Sequence, residues 1–235
     1  MDINKPFVSV VLSVFNDSKN IKSSVKSIIE QTYENLELLL MDDGSNDDTK
    51  NVCIDLGKQY KNIRTFRNKK NEGLTKSLNS LIKKSKGEFI ARQDSDDLSY
   101  PERISKQIDF ILENKLDGST TRSINLQTSK KMPKYSFYLP QNQVIKFRNP
   151  HIHGTLVIKK EVLESVNFYD EDFYYAQDYM LFAKLLRQDY KIGKLNEVLY
   201  KSNTINNIST ENIEKQNYFA NKVKEYLKNK EKHDS

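Results

Sequence analysis

Three aspartates crowd one short stretch, Asp94-Ser95-Asp96-Asp97. They follow the apolar run Phe89-Ile90-Ala91 and precede Leu98-Ser99-Tyr100-Pro101-Glu102-Arg103. Two carboxylates about 4 Å apart repel by roughly 4 kcal/mol at an effective dielectric near 20. Such a group faces open water or holds a cation. Oxygen-only ligands at a strand end suit a hard divalent ion, Mg2+ or Mn2+. Mg2+ prefers one or two carboxylates plus substrate phosphates to an all-protein cage. The stretch therefore predicts a metal that holds a diphosphate. The plain alternative is structural, because Asp and Ser are common turn and cap residues. Ser99 is expected as an N-cap, with Glu102 as its capping-box partner and Pro101 in the first turn. The three carboxylates would then sit on a tight strand-to-helix turn.

The flanking elements place this stretch. Phe7 to Val14 is an apolar, β-branched run of strand length ending at Phe15-Asn16-Asp17-Ser18. Ile21, Val25, Ile28 and Ile29 then follow a helical period. Leu36 to Met41 is a second buried strand, ending at Asp42-Asp43-Gly44-Ser45 and opening a helix with Val52 and Leu56 on its apolar side. Ile63 to Phe66 is a third strand, Arg67 to Gly73 a basic loop, and Leu74, Leu78, Leu81 and Ile82 mark the next helix. Phe89 and Ile90 form the fourth strand, followed by the period Ile104, Ile108, Ile111, Leu112. Repeated strand-turn-helix units with continuously apolar strands predict an α/β fold with a mostly parallel sheet covered on both faces. Ligands bind such sheets beyond the carboxyl ends of strands. Asp42, Asp43, Asp94, Asp96 and Asp97 all fall there. Asp-Gly also favours a hairpin turn, but a strand on one side and a helix on the other disfavour it.

Beyond Asp117 the pattern weakens. Asp117 to Thr121 and Lys130 to Lys134 read as loops, and Tyr135, Phe137, Tyr138 and Phe147 as a partly ordered aromatic surface. Asn149-Pro150-His151-Ile152-His153-Gly154 leads into an expected strand Thr155 to Ile158, then a short helix from Glu161 to Val166. His151 and His153 alternate along a strand edge. Either they form a metal pair, or His153 alone faces the site and His151 is packed or on the surface. Phe168 to Asp178 is a polar, aromatic loop. Met180 to Leu186 is expected as a buried helix with Asp178 in its first turn, beside the positive helix end. Asp178 also fits an N-cap role. Ile192 to Leu195 and Val198 to Tyr200 read as two short strands. From about Glu211 the chain is a basic helix with a sparse apolar face: Ile213, Phe219, Val223, Tyr226, Leu227.

The 235 residues suffice for one large α/β domain, with 37% hydrophobic and 30% charged residues. The net charge of +6 comes mostly from lysine, is interspersed with acids and holds no dense arginine block, so nucleic acid is not the expected partner. One cysteine, Cys53, excludes a disulfide framework and a zinc cluster and is consistent with a reducing compartment. Met1 to Pro6 carries no signal-peptide pattern, and no apolar run approaches the ~18 residues of a membrane span. A cytoplasmic protein is expected, peripheral on the inner face of the plasma membrane if the basic C-terminal helix lies on anionic lipid.

Taken in order, VSVVLSVFND, MDDGSNDDT, RNKKNEGLTKSLN, GEFIARQDSDDLSYPERI, HIHGTLVIKKEVLESVNFYDEDF, AQDYMLFAKLL and YKSNTINNIS resemble the family 2 glycosyltransferases of the GT-A fold. The resemblance implies a Rossmann-like, mostly parallel central sheet flanked by helices, with a nucleotide-sugar-binding half (1–98), a smaller acceptor-binding half (99–209) and a helical tail (210–235). It implies a nucleotide-sugar donor, usually a UDP-sugar, a divalent metal (Mn2+ or Mg2+) and inversion at the anomeric carbon. Asp43 would bond the base, with Asn16 near base or ribose. Arg67, Asn71 and Gly73 would line the nucleotide pocket. Asp94 would contact ribose or sugar, Asp96 would ligate the metal with His153 as a second candidate, and Asp178 would be the general base. Asp97 and Gln177 would lie toward the acceptor, a glycan or lipid-linked glycan of a surface polysaccharide. Gln177-Asp178 stands where the family often has Glu-Asp, and Met180 where an acidic residue is common.

Rival readings are weaker. A haloacid-dehalogenase-type phosphatase also carries D-x-D after a strand, but expects Gly-Thr next and places the motif on its first strand. A dinucleotide dehydrogenase needs G-x-G-x-x-G, which is absent. A nucleotide-sugar-binding relic without catalysis is the non-enzyme alternative.

Overall fold

The computed structural model describes residues 5–204 and 212–231. The N-terminal stretch read for a leader pattern therefore lies partly outside them, as do residues 205–209 of the last family-like piece and the final residues of the tail.

Strand β1 (Val8–Val14), helix α1 (Ile21–Ile29), β2 (Leu36–Asp42), α2 (Thr49–Gln59), β3 (Ile63–Arg67), α3 (Leu74–Lys84) and β4 (Phe89–Arg92) alternate as expected. They form the parallel half of one sheet, ordered β3-β2-β1-β4. After β5 (Leu98–Ser99) and α4 (Arg103–Glu113) come β6 (Gly118–Asn125), β7 (Lys131–Met132), α5 (Gln141–Val144), β8 (Val157–Lys159), α6 (Lys160–Ser165), α7 (Gln177–Arg187), β9 (Ile192–Ser202) and α8 (Ile213–Glu231). The sheet continues without a break as β4-β8-β6-β9-β5, with β8 antiparallel to β4 and β7 on the edge of β6.

The apolar strands are buried on both faces because alternate residues feed two cores. Val8, Val10, Leu12 and Val14 meet Ile21, Val25 and Ile28 of α1 and Ile104, Ile108 and Ile111 of α4. Val11, Leu39, Met41 and Ile158 meet Leu78, Leu81 and Ile82 of α3 and Leu181, Phe182 and Leu185 of α7. Cys53 is buried in α2.

Several expectations need correction. Ser99 is not a helix cap. It lies in β5, and its hydroxyl donates to Gln93 Oε1 at 2.7 Å. Helix α4 starts only at Arg103, and Glu102 makes no side-chain cap bond. The aspartate turn therefore runs into a short strand rather than a helix. Asp117 to Thr121 was expected as loop, yet Gly118–Asn125 is a central strand. Its buried side chains are the polar Ser119, Thr120, Thr121, Ser123 and Asn125, and all but Ser123 are held by side-chain hydrogen bonds. Gln107 Nε2, for instance, donates to Ser119 Oγ at 3.0 Å and to the Thr155 carbonyl at 2.9 Å. The two expected C-terminal strands are one, β9, and the strand expected at Thr155 begins two residues later, at Val157, after a 3-10 turn over His153–Thr155. Phe137 is buried, unlike its aromatic neighbours. Helix α8, expected as a basic helix with a sparse apolar face, turns most of that face inward. Val223 is fully buried, and Phe219, Tyr226 and Leu227 pack on the core that contains α7.

Candidate active site

The carboxyl ends of β1, β2 and β4 converge on one rim. Asp42 and Asp43 end β2, and both are buried. Asp43 Oδ1 accepts from Asn68 Nδ2 at 2.7 Å and from the Glu72 amide at 3.0 Å, while Oδ2 accepts from the Gly73 amide at 2.9 Å. An ionised carboxylate has about four acceptor positions, so Asp43 keeps one, on Oδ2. Asp42 pairs with the Arg67 guanidinium, whose second nitrogen donates to the Ser45 carbonyl at 3.1 Å. Two glycines make this packing possible. A Cβ on Gly44, at φ +75, would sit 2.3 Å from the Lys70 carbonyl carbon, and Gly73, at φ +91, lies directly under the Tyr174 ring. Asn71 Oδ1 accepts from the Gly73 amide at 2.9 Å.

Asn16 follows β1 in a left-handed conformation at φ +51. Its Oδ1 accepts from the Asn46 amide at 2.8 Å, and its own amide donates to Ser45 Oγ at 2.9 Å. Asp17 accepts from Ser95 Oγ at 3.0 Å, which ties the first loop to the aspartate turn.

The aspartate turn is built over two buried arginines that the sequence reading missed. Arg92 ends β4 with 1% side-chain exposure and pairs with Asp94. Arg103 is fully buried. It donates to the Arg92 carbonyl at 3.0 Å and lies over the Tyr200 ring. Tyr200 Oη accepts from the Asp94 amide at 3.2 Å. The available signal for Arg92 was a cation closing an otherwise apolar strand. Burial, and next the Asp94 charge, push the Asp96 carboxyl up to about 6. The same causes push Asp97 up to about 8, although its Oδ1 accepts from the Asn203 amide at 2.6 Å.

The other half of the chain closes the site. Asp178, in the first turn of α7, accepts from Asn149 Nδ2 at 2.8 Å. Gln177 opens the same helix after Ala176, which is left-handed at φ +54. His153 Nε2 is 2.7 Å from Tyr169 Oη and 3.4 Å from Arg92 Nε. Burial, then the Arg92 charge, lower its pKa to about 4, and both Asp178 and Asp94 act on it in the opposite sense. Arg92, paired with Asp94, and His153, beside Tyr169, thus meet across the two parts of the chain.

His151 does not join them. It is buried against Phe182 with ring centroids 4.2 Å apart, its Nδ1 lies 2.8 Å from Thr120 Oγ1, and Nε2 has no partner among the described residues. The metal-pair reading of the two histidines therefore fails. Burial lowers the His151 pKa to about 3. The unfolded chain takes up a proton near pH 6.5 that the folded site refuses, so stability is lost as pH falls from about 6.5 toward 3. Replacing His151 by Phe keeps the stack and removes the unpaired nitrogen. The melting temperature of this variant is expected to fall less between pH 7 and pH 5 than that of the native chain. An unchanged acid limb would show that His151 is not held neutral by burial.

Among the described residues no group of three His, Cys, Asp or Glu side chains is arranged to hold a metal. The residues nonetheless fit an ion carried mainly by a diphosphate. Asp94 is taken by Arg92 and Asp97 by the Asn203 amide, while Asp96 is left between carboxylates that disfavour its charge.

Known proteins resemble the chain in sequence and in fold. Residues 9–166 match the glycosyl transferase family 2 domain. The chain is 31% identical to an uncharacterized glycosyltransferase of Rickettsia typhi, over 84% of this chain and 64% of the relative. It is 32% identical to the O-antigen biosynthesis glycosyltransferase WbnJ of Escherichia coli, over 77% of this chain and 72% of that protein. Among solved structures, S. aureus TarS in complex with UDP-GlcNAc superposes with a TM-score of 0.72 at 21% identity, over 86% of this chain and 59% of that one. The mannosyltransferase PcManGT of Pyrobaculum calidifontis, in complex with GDP-Man and Mn2+, gives 0.68 at 19% identity, over 85% and 57%. The chain thus spans only part of each.

Proposed function

The chain belongs to glycosyltransferase family 2 and has the GT-A fold, and from that premise we propose that it transfers a sugar with inversion from a nucleotide-diphosphate donor, a UDP-sugar first, to a hydroxyl of a glycan or lipid-linked glycan. One observation carries the reading: Asp94 pairs with Arg92, whose Nε lies 3.4 Å from His153 of the other half of the chain, and the charges of both Asp94 and Asp178 act on that histidine. A single in-line displacement needs this arrangement, a donor side and a base on the other face of the sugar.

In this reading the free acceptor position of Asp43 receives an N–H of the base, and Asn16, Arg67, Asn71 and Gly73 surround base and ribose. Asp94, oriented by Arg92 and Tyr200, bonds ribose or sugar. Asp96 would hold Mn2+ or Mg2+, which supplies a Lewis acid at the departing diphosphate. His153 stays out of that shell, because its Nε2 is committed to Tyr169 and Arg92. Asp178 takes the proton of the acceptor hydroxyl, and Asn149 fixes its carboxylate. Gln177 and Asp97 border the acceptor side, with Asp97 also anchoring the backbone at Asn203. The O-antigen role in the name of one relative supports a surface-polysaccharide acceptor. The cytoplasmic side of the membrane is the corresponding place for the reaction. No helix among the described residues is long and apolar enough to cross a membrane.

A melting panel of nucleotide sugars with and without Mn2+ tests the reading. A ligand at a hundred times its Kd adds about 2.7 kcal/mol, or roughly 5–10 °C for a chain of this size. The expected result is such a rise for one UDP-sugar with Mn2+, abolished by a chelator. No rise with any nucleotide sugar, or a rise indifferent to the metal, would sink it.

A further inference from the structure

Between Asp117 and Glu161 the sequence contains no acidic residue. The same stretch carries Lys130, Lys131, Lys134, Lys146 and Arg148, all exposed. Interleaved with them are the three most exposed large apolar or aromatic side chains among the described residues, Tyr135 at 86%, Phe147 at 75% and Tyr138 at 66%, together with Leu139 at 52% exposure. The formal charge of the whole chain is only +6, so this segment is far more basic than the molecule.

The exposed side chains are held in place. Tyr135 and Tyr138 sit three residues apart on a 3-10 turn, closed by the Tyr138 amide on the Tyr135 carbonyl at 3.2 Å. At that spacing side chains eclipse and share one face. Phe137 points inward from the same turn, under the Arg122 guanidinium. Lys194 Nζ fixes the turn to β9 through the Leu139 carbonyl at 2.8 Å. Val144 and Ile145 are buried behind Lys146 and Phe147, and Tyr179 Oη donates to the Ile145 carbonyl at 2.5 Å. The segment ends at Asn149, which touches Asp178.

We propose that residues 130–148 form a docking surface for an anionic lipid bilayer, with the lysines and Arg148 at the headgroups and Tyr135, Tyr138, Leu139 and Phe147 in the interface. Lysine clusters are drawn to anionic leaflets. Tyrosines suit the boundary, where one end of the ring is apolar and the other wet. A dissolved polyanion would engage the cations alone and gives no reason to hold Leu139 and Phe147 out in water. Helix α8, the basic element first expected to do this, has its main apolar face turned into the core. The surface adjoins Asp178 and so would set the acceptor side of the site against the membrane. It does not depend on the identity of the donor.

Flotation of the full chain with vesicles tests this without any turnover. Binding is expected to phosphatidylcholine vesicles containing phosphatidylglycerol, not to phosphatidylcholine alone, and to weaken with salt. The triple change Lys130→Glu, Lys131→Glu, Lys134→Glu should lower partitioning roughly a hundredfold. Tyr135→Ser, Leu139→Ser and Phe147→Ser together should also release the protein from vesicles while leaving its retention on heparin unchanged. Lys222→Glu with Lys228→Glu on α8 should change neither. All substituted side chains are exposed, so unchanged melting temperatures verify folding. Binding lost through the α8 changes, aromatic changes without effect on flotation, or heparin retention with no vesicle binding would each overturn the proposal, the last in favour of a soluble polyanion.

Discussion

Asp178→Asn is expected to lower sugar transfer by about 10²–10⁴-fold and to leave donor binding unchanged. The carboxylate is the proposed proton acceptor, and an amide of the same shape cannot fill that role. Its surroundings tolerate the change, because Asn149 Nδ2 can donate to an amide oxygen as it now donates to Asp178 Oδ2. The donor contacts proposed here lie on the strand ends of the other half, so the melting shift produced by UDP should persist. Transfer measured at saturating donor checks the first part and the nucleotide melting shift the second. Transfer within tenfold of the native rate would remove Asp178 from the role of base. Loss of both transfer and binding would mean that the side chain holds the site together. A binding relic without catalysis would show no transfer to lose.

Asp94→Ala is expected to destabilise the fold by about 3–5 kcal/mol, a melting decrease of roughly 10 °C. Asp94 balances Arg92, which is 1% exposed and otherwise donates to uncharged acceptors, two main-chain carbonyls and, from Nε, His153 Nε2 at 3.4 Å. Such acceptors satisfy its hydrogen bonds without neutralising its charge. The reverse change, Arg92→Met, should cost less. Asp94 keeps 32% side-chain exposure and can turn toward water once its partner is gone. Melting of the two single variants decides the matter, and equal losses would contradict the asymmetry. The practical consequence concerns Asp94→Ala in an activity assay: inactivity would report unfolding as much as a lost ribose contact. Asp96→Asn is the cleaner probe of the metal, since no ion pair among the described residues depends on it.

The parallel half was legible because its strands are apolar runs and its helices repeat one spacing. Each of β1 to β4 and α1 to α3 matches a run or period visible in the residues. The aspartates could be placed as well, since residues at a strand's carboxyl end reach the binding edge whatever their detailed contacts. The second half was harder. Strand β6 is buried through serine and threonine hydroxyls, and periodicity of apolar residues cannot detect a polar core. The Ser99 cap looked sound locally, but pairing of Leu98 and Ser99 with Tyr200 and Lys201 of β9 overrode it. Arg92 and Arg103 were missed for a related reason. A charged residue is read as exposed by default, and only tertiary structure shows which carboxylate and ring surround it. The role of α8 depended on α7, a neighbour distant in sequence.

The antiparallel join of β4 to β8, Phe89 opposite Lys159 through Ala91 opposite Val157, has one more consequence. It makes the two halves one continuous sheet, so a swing of one half against the other would have to break these strand pairings. Adaptation to a new sugar or acceptor must then come from the segments hanging off the sheet's rim. Chimaeras that graft rim segments from relatives while keeping both partners of this join should fold. Those that cut between the two strands and mismatch their registers should not.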